Sequence, residues 1–122
     1  MNNALNWFEI PSTDFDRAVT FYSTILEAPL RREVIAGTPN ALLPYDNNAD
    51  NVVGGAVIFD VRITPSAHGT VPYLNCNGRL DEVLARVITA GGKVILPHID
   101  FPFGSIATIL DTEGNRIGLH SA

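Results

Sequence analysis

Hydrophobic residues along the chain alternate between the two-residue period of strands and the 3.6-residue period of helices. In residues 6–11, Trp7 and Glu9 fall on one face of a predicted strand and apolar residues fall on the other. Residues 12–26 then show helical spacing, which predicts an amphipathic helix. Its apolar stripe comprises Phe15, Ala18, Val19, Tyr22 and Ile25. The candidates for its N-cap are Ser12, Thr13 and Asp14.

The same order of elements is predicted twice. The first module, about residues 4–61, continues after the helix with strands at 29–35, 40–45 and 53–61. After a Pro- and Gly-containing linker at 62–69, the second module, about 70–120, has a strand at 70–76, a helix at 78–92 and strands at 93–99, 104–110 and 115–120. The second helix has the apolar stripe Leu80, Val83, Leu84, Val87 and Ile88 and is expected to end at Gly91-Gly92. The predicted fold class is therefore α+β, with two βαβββ modules in a single domain.

Composition narrows the classes of partner and compartment. The net charge is −5 and only eight Lys and Arg are present, so a nucleic-acid partner is not expected. No apolar run is long enough to span a bilayer, and the start of the chain lacks the features of a signal peptide. Cys76 has no other cysteine to pair with and is expected to be a small buried hydrophobe. These features predict a cytoplasmic protein without membrane contact.

The last turn and strand carry an unusual set of side chains. The segment "ILDTEGNRIGLH", residues 109–120, is predicted to be strand, turn and strand. In the last strand, Arg116, Gly118 and His120 share one face. A cation, a gap and an imidazole do not form an ordinary core face. Because each helix covers only one face of its sheet, the opposite, concave face must be closed by the other module, a second chain or a ligand.

Three segments resemble the vicinal oxygen chelate superfamily, which includes glyoxalase and the bleomycin resistance proteins. They are "TDFDRAVTFYSTIL", "GRLDEVLARVITAGGKV" and "DTEGNRIGLH", and together they indicate a resemblance over nearly the whole chain. The "NWFEIP" opening and the "GNRIGLH" ending look like a glyoxalase-related branch. The superfamily usually has Asp-Pro-Asp-Gly-Asn at the last turn, from which Thr112 and Glu113 depart mildly. The resemblance implies paired βαβββ modules whose curved sheets form a cup.

Metal-dependent members of the superfamily take four ligands, one from the first and one from the last strand of each module. Carried over to this chain, the first position falls at Trp7, the equivalent in module two at Pro72 or Val71, and the last at Gly118. None of these side chains binds a divalent metal. In the last strand of module one, Asp60 is the one available donor, and a catalytic zinc site needs three protein ligands. The resemblance therefore implies a member without the usual metal cofactor.

A relocated divalent metal site is an alternative. Glu9 and His120 would converge in the cup, one residue pair away from the usual ligand ring, with Asp60 or His98 as a third ligand. In the competing interpretation His120 is a surface residue near the end of the last strand. His68 and His98 are then loop or rim residues.

Glu9 and Trp7 are the first candidates for function. Glu is disfavoured in strands and is seldom buried without a partner. Glu9 is therefore interpreted as a cavity carboxylate that serves as general base or ligand anchor. The competing interpretation places Glu9 at the sheet rim, paired with Arg116 or Arg17. Trp7 is expected to line the cavity wall, where its indole offers a large stacking surface.

The first strand of module two has two alternative registers. Tyr73 and Asn75 face the cup in one, whereas Pro72, Leu74 and Cys76 face it in the other. The first is preferred because it places Leu74 and Cys76 against the helix.

Three further residues complete the candidate binding site. Phe101 and Phe103 flank a proline and form either a lip over the cup or a plain hairpin connection. Arg116 binds an anionic ligand group or is simply solvated.

Two functions are compatible with these residues. The first is a small-molecule-binding protein that sequesters a planar or apolar ligand between Trp7 and Tyr73, without a metal. The alternative is a lyase or isomerase that acts on a small carbonyl compound, with Glu9 as the general base and with or without a relocated metal. In either case the exposed concave sheets predict a homodimer.

Overall fold

The computed structural model describes residues 3–46 and 48–122. Module one comprises β1 (Trp7–Pro11), α1 (Phe15–Leu26), β2 (Arg31–Ile35), β3 (Thr38–Leu42) and β4 (Gly54–Ile58). Module two comprises β5 (Tyr73–Asn75), α2 (Leu80–Thr89), β6 (Lys93–Phe101), β7 (Gly104–Leu110) and β8 (Arg116–Ser121). The α+β class and the repeated βαβββ order are as the sequence predicts.

The two sheets have the same topology. Module one forms a four-stranded sheet in the order β1-β4-β3-β2, and module two repeats it as β5-β8-β7-β6. In each sheet the first strand of the module lies parallel to the last, and the remaining pairs are antiparallel. The sheets are curved and do not close into a barrel.

Strand β5 is shorter than the predicted strand at 70–76. It has three residues because Pro72 lacks a backbone N–H group and cannot donate to the ladder, although its carbonyl still accepts from the Gly118 N–H group at 2.9 Å. Leu74 and Cys76 are buried in the core, whereas Tyr73 and Asn75 are exposed. Strand β5 therefore has the register preferred from the sequence.

Helix α1 begins at a real N-cap and packs an apolar face on both modules. The Asp14 carboxylate accepts a hydrogen bond from the Arg17 N–H group at 3.1 Å. The buried face comprises Ala18, Val19, Phe21, Tyr22 and Ile25. Phe15, predicted in this stripe, is partly buried, and the Arg32 guanidinium lies 5.3 Å above its ring.

Helix α2 buries a narrower stripe than the sequence predicts. Leu80, Val83 and Val87 are buried, but Ile88 is 67% exposed, so its predicted place in the core is wrong. Three residues at i, i+3 and i+7 span the contact with the sheet, and Ile88 turns past its edge. The helix ends at Thr89 with Ala90 as its C-cap, and Gly91 follows in the left-handed conformation. Among the helices of the described ranges, none has the length and apolarity of a membrane span.

One hydrophobic core runs through both modules. Ile10, Phe21 and Val57 of module one belong to the same buried cluster as Val87 and Ile109 of module two. Phe21 packs so closely on Gly92 that a Cβ atom at Gly92 would lie 2.8 Å from the Phe21 ring. Burial of the helix-covered faces therefore holds the modules together and leaves the concave faces outside this core.

Candidate functional site

The concave face of module one carries the predicted pair of side chains on β1. Trp7 is 41% exposed, and Glu9 is also exposed. Ile10, on the helix-covered face of the same strand, is buried. The parallel register places Trp7 beside Gly54 and Glu9 beside Ala56. The Trp7 ring lies over Gly54, where a Cβ atom would come within 2.9 Å of the indole.

Module two repeats this arrangement at equivalent positions. The register places Tyr73 of β5 beside Gly118 of β8. The Tyr73 ring lies directly on Gly118, where a Cβ atom would be 2.3 Å from the ring. Each module thus places an aromatic side chain of its first strand on a glycine of its last strand. Tyr73, and not Val71 or Pro72 as expected from counting along the sequence, is the structural equivalent of Trp7.

The resemblance implies metal ligands on the first and last strands of each module, the strands on which these four positions lie. The four positions are occupied by an indole, a phenol and two glycines, a set with little affinity for a divalent metal. Asp60, the expected donor of module one, lies beyond the end of β4. Its carboxylate pairs with Arg62 at 2.8 Å, and this hydrogen bond lowers the pKa of Asp60 to about 2. Within residues 3–46 and 48–122, no group of three or more His, Cys, Asp or Glu side chains could hold a metal ion.

Glu9 does not make the ion pairs considered for it. Arg17 instead binds Glu113, and the Arg116 Nε donates to the Ala67 carbonyl at 3.2 Å. Among the residues that the structure describes, Glu9 forms no hydrogen bond or ion pair. Its carboxylate is therefore free on the concave face beside Trp7.

Among the described residues, Glu9 and His120 form no hydrogen bond or ion pair with each other. Glu9 belongs to the sheet of module one and His120 to that of module two, and the strands of the two sheets share no ladder. The His120 ring instead lies 6.4 Å from the Phe101 ring, and its Nε2 is 3.4 Å from the Phe103 carbonyl oxygen. The convergence of Glu9 and His120, and with it the relocated metal site, stays a prediction.

The segment with Phe101 and Phe103 is a plain hairpin. Strand β6 runs to Phe101, a two-residue turn follows, and β7 begins at Gly104, which has a φ of 134°. The two Phe rings meet edge to face at 6.3 Å, and Phe103 is 82% exposed. The ladder contacts of Ile99 with Ile106, and of Ile106 with His120, place Ile99 and Phe101 on the concave face.

His98 and His68 lie away from the concave face. His98 lies in β6, within the strand predicted at 93–99, and bridges Asp81 of α2 and Asp100, each at 2.7 Å. The hydrogen bond with Asp81, followed by that with Asp100, raises the pKa of His98. His68 lies between the modules, where its N–H group donates to the Ser66 hydroxyl at 3.0 Å.

A second concavity lies where the modules meet and is called here the seam cavity. Its volume is about 340 Å³. It is lined by Leu5, Phe8, Leu26, Leu43, Pro44, Val53, Pro72, Tyr73, Leu74 and Asn75. Tyr73 and Asn75, predicted for the cup, thus also border the seam cavity, whereas Trp7 is not part of its lining.

Comparisons with known proteins identify the fold. No model of a known protein family matches the chain, and no curated protein matches it. A glyoxalase/bleomycin resistance protein from Albidiferax ferrireducens T118 has 15% identity and a TM-score of 0.71, with 98% of this chain and 99% of that one covered. A glyoxalase-related enzyme from Fulvimarina pelagi has 12% identity and a TM-score of 0.67, with coverage of 100% and 89%.

A third solved structure extends the likeness to an antibiotic resistance protein. The fosfomycin resistance protein FosX from Listeria monocytogenes has 10% identity and a TM-score of 0.67, covering 100% of this chain and 93% of its own. The chain therefore has the fold of the vicinal oxygen chelate superfamily, and the fold predicted from the resemblance is confirmed.

Sequence reasoning missed the role of Gly54. The signal was present as Gly54-Gly55 at the start of an otherwise apolar strand, since glycine within a strand often marks close approach of another group. Gly55 accommodates the Phe8 ring on the helix side in the same way, because a Cβ atom there would lie 2.3 Å from that ring.

Proposed function

We propose that this protein binds small molecules on its concave faces, as a member of the glyoxalase/bleomycin resistance type that lacks the usual metal ligands. The observation that carries the proposal is the pair of aromatic residues on glycines, Trp7 on Gly54 and Tyr73 on Gly118. Both rings are exposed on one side and supported on the other by backbone. A glycine beneath each ring fixes a flat, apolar platform on the concave face of each module.

The platforms suit a planar or apolar ligand. Indole and phenol rings bind flat molecules by stacking and by apolar contact. Glu9 beside Trp7 and Arg116 beside Gly118 add one charge of each sign at the margins. The similarity to FosX and to glyoxalase/bleomycin resistance proteins supports small-molecule binding as the class of function.

The fluorescence of Trp7 tests this proposal, because it is the one tryptophan of the chain. We expect at least one compound in a panel of small aromatic molecules and carboxylates to change the emission saturably. Replacing Tyr73 by Leu should weaken the binding of that compound about tenfold, whereas Phe59→Leu, at an exposed aromatic residue directly after β4, should not. The proposal is wrong if Tyr73→Leu, Glu9→Gln and His120→Ala all bind every such compound as the wild type does.

A catalytic role is the second candidate, and the free Glu9 carboxylate favours it. In this proposal the protein is a lyase or isomerase in which Glu9 removes a proton from the carbon next to a ligand carbonyl. Glu9→Gln keeps the side-chain volume but removes the base. Turnover of a bound carbonyl compound that is lost in Glu9→Gln while binding persists would support the enzyme. Equal turnover by the wild type and Glu9→Gln would rule out Glu9 as the base and would leave binding as the only proposed function.

We further propose that the site works without a metal and that the protein is a homodimer. The apolar residues exposed on the concave faces are Trp7, Ile35, Tyr73, Leu96, Ile99 and Phe101. A second copy would cover much of this surface, since monomeric proteins seldom expose so extended an apolar patch.

A further inference from the structure

The seam cavity is built from both modules and is separate from the platform of Trp7. One wall comes from the core, with Phe8 of β1, Leu26 at the end of α1 and Leu74 of β5. The loop residues Pro44 and Val53 also line the cavity. Because the volume of about 340 Å³ lies in the range of small-molecule sites, the cavity can accept a ligand of a few fused or linked rings.

The lining contains no carboxylate, ammonium, guanidinium or imidazole group among the described residues. A charged ligand group would therefore lose its hydration without gaining a partner, which costs several kcal/mol. The chemistry of the walls thus selects an uncharged, mainly apolar molecule. This preference differs from that of the concave faces, where Glu9 and Arg116 stand at the margins.

One side chain at the mouth of the cavity has a fixed polar orientation. The Asn75 Oδ1 accepts a hydrogen bond from the Asn77 N–H group at 2.8 Å. This bond shows which terminal atom of the Asn75 amide is the oxygen and which is the nitrogen, because only the oxygen can accept. The Asn75 Nδ2 has no hydrogen-bond acceptor among residues 3–46 and 48–122. Asn75 therefore presents a free amide donor at the cavity.

We propose that the seam cavity is a second ligand site, which takes an uncharged, mainly apolar compound bearing a carbonyl oxygen. The apolar body lies against Phe8, Leu26 and Leu74, and the Asn75 Nδ2 donates a hydrogen bond to the carbonyl. The Tyr73 ring contributes to both the seam cavity and the platform on Gly118, so occupancy of one site changes the surroundings of the other.

Three probes of similar size separate the parts of this proposal. They are 1-indanone, which is neutral and has a carbonyl, indane, which lacks the carbonyl, and benzoate, which is charged. In a titration followed by ¹H–¹⁵N correlation spectra, 1-indanone should shift the amides of Val53, Leu74 and Asn75 saturably. Indane should bind at the same place about tenfold more weakly, the equivalent of one hydrogen bond, and benzoate should not bind there.

Asn75→Asp is the sharpest variant, because its carboxylate can still accept from Asn77 but cannot donate. Because Asn75 is exposed, the variant should retain the fold. The variant should bind 1-indanone at least tenfold more weakly, while Ile88→Ala, at an exposed residue of α2 outside the cavity lining, should bind it as the wild type does. A second variant, Val53→Trp, should fill the cavity and abolish the shifts.

Several results would overturn the proposal. They are the absence of any saturable shift with 1-indanone, unchanged affinity in Asn75→Asp, equal affinity for benzoate, or shifts centred on Trp7 and Gly54. Cavity amides that move with protein concentration and not with 1-indanone would show that a second copy fills the cavity. The platform proposal does not depend on these outcomes, since its readout is Trp7 fluorescence.

Discussion

The Glu113 carboxylate of module two accepts two hydrogen bonds from the Arg17 guanidinium of module one, at 2.8 and 3.1 Å. The same carboxylate accepts from the backbone N–H groups of Thr13 and Asp14, at 2.9 and 2.8 Å. No hydrogen bond within α1 satisfies these two donors, because they lie at its start. A side chain in the last turn of the chain thus holds the two residues directly before the first helix, and this side chain is fully buried.

Replacing Glu113 by Gln should destabilise the protein. The amide oxygen can replace part of the carboxylate, but the charge and one acceptor are lost. We expect the free energy of unfolding at pH 7 to fall by about 3 kcal/mol. The measurement is urea denaturation. Glu82→Gln is the matched control, since Glu82 pairs with Arg79 in solvent and its replacement should change the free energy of unfolding far less. Equal losses in the two variants would contradict the prediction.

Stability should also fall in acid because of Glu113. Burial raises the pKa of Glu113, but the hydrogen bonds from Arg17, Asp14, Thr112 and Thr13 outweigh burial and lower the pKa to about 2. The folded state therefore binds this proton less readily than the unfolded state, whose Glu has a pKa near ~4.3. This stabilisation is complete above about pH 5 and is lost as the pH falls towards 2; it amounts to about 3 kcal/mol.

The pH dependence of unfolding in the wild type and in Glu113→Gln measures this contribution. The difference in unfolding free energy between the two proteins should shrink steadily below about pH 5. A difference that stays constant down to pH 2.5 would show that the titration of Glu113 is not coupled to folding.

Gly118→Ala should disturb the Tyr73 platform specifically. Gly118 lies in β8, outside the left-handed region, so the clash with the Tyr73 ring and not backbone strain requires glycine. We expect a loss of about 1–2 kcal/mol in the wild-type background. In the Tyr73→Ala background the same substitution should cost little, because the ring that it strikes is gone. Equal costs in the two backgrounds, measured by denaturation, would remove the steric explanation.

The element order could be predicted from the sequence, whereas two central features of the site could not. Periodicity reveals β1, α1 and the hairpin that ends in β8, because these patterns are local. The contact of Tyr73 with Gly118 depends on the parallel pairing of strands more than 40 residues apart, and counting from the helix misplaced it by one or two residues. Glu113 reaches the start of α1 only after both modules have packed. Nothing in its neighbouring residues indicates that partner.

Protein purified without chelators should contain no stoichiometric zinc, nickel, iron or manganese. Trp7, Gly54, Tyr73 and Gly118 offer no ligand set for these ions. Elemental analysis checks this, and EDTA should leave the melting temperature unchanged. Tight binding of any of these ions in calorimetry, lost in Glu9→Ala, would instead support a relocated site around Glu9.

The concave faces should pair two copies of the chain. The register places Leu96, Ile99 and Tyr73 on the concave face of module two, where their side chains are 47, 48 and 52% exposed. Removing such surface from water is favourable by roughly 25 cal/mol per Å². At micromolar concentration, sedimentation equilibrium should therefore give twice the chain mass of 13.2 kDa.

Two Ile→Glu variants distinguish this interface from general surface hydrophobicity. Ile99→Glu places a charge on the concave face and should shift the equilibrium to monomers, because the carboxylate would be buried without a partner. Ile88→Glu changes a more exposed residue, at 67%, on the outer side of α2 and should leave the dimer intact. A wild-type monomer, or dissociation by both variants alike, would rule out the concave faces as the interface. If only Ile99→Glu dissociates the dimer, the Trp7 fluorescence titration can be repeated on this monomeric variant. A weaker affinity for the ligand would then show that the second copy completes the binding site.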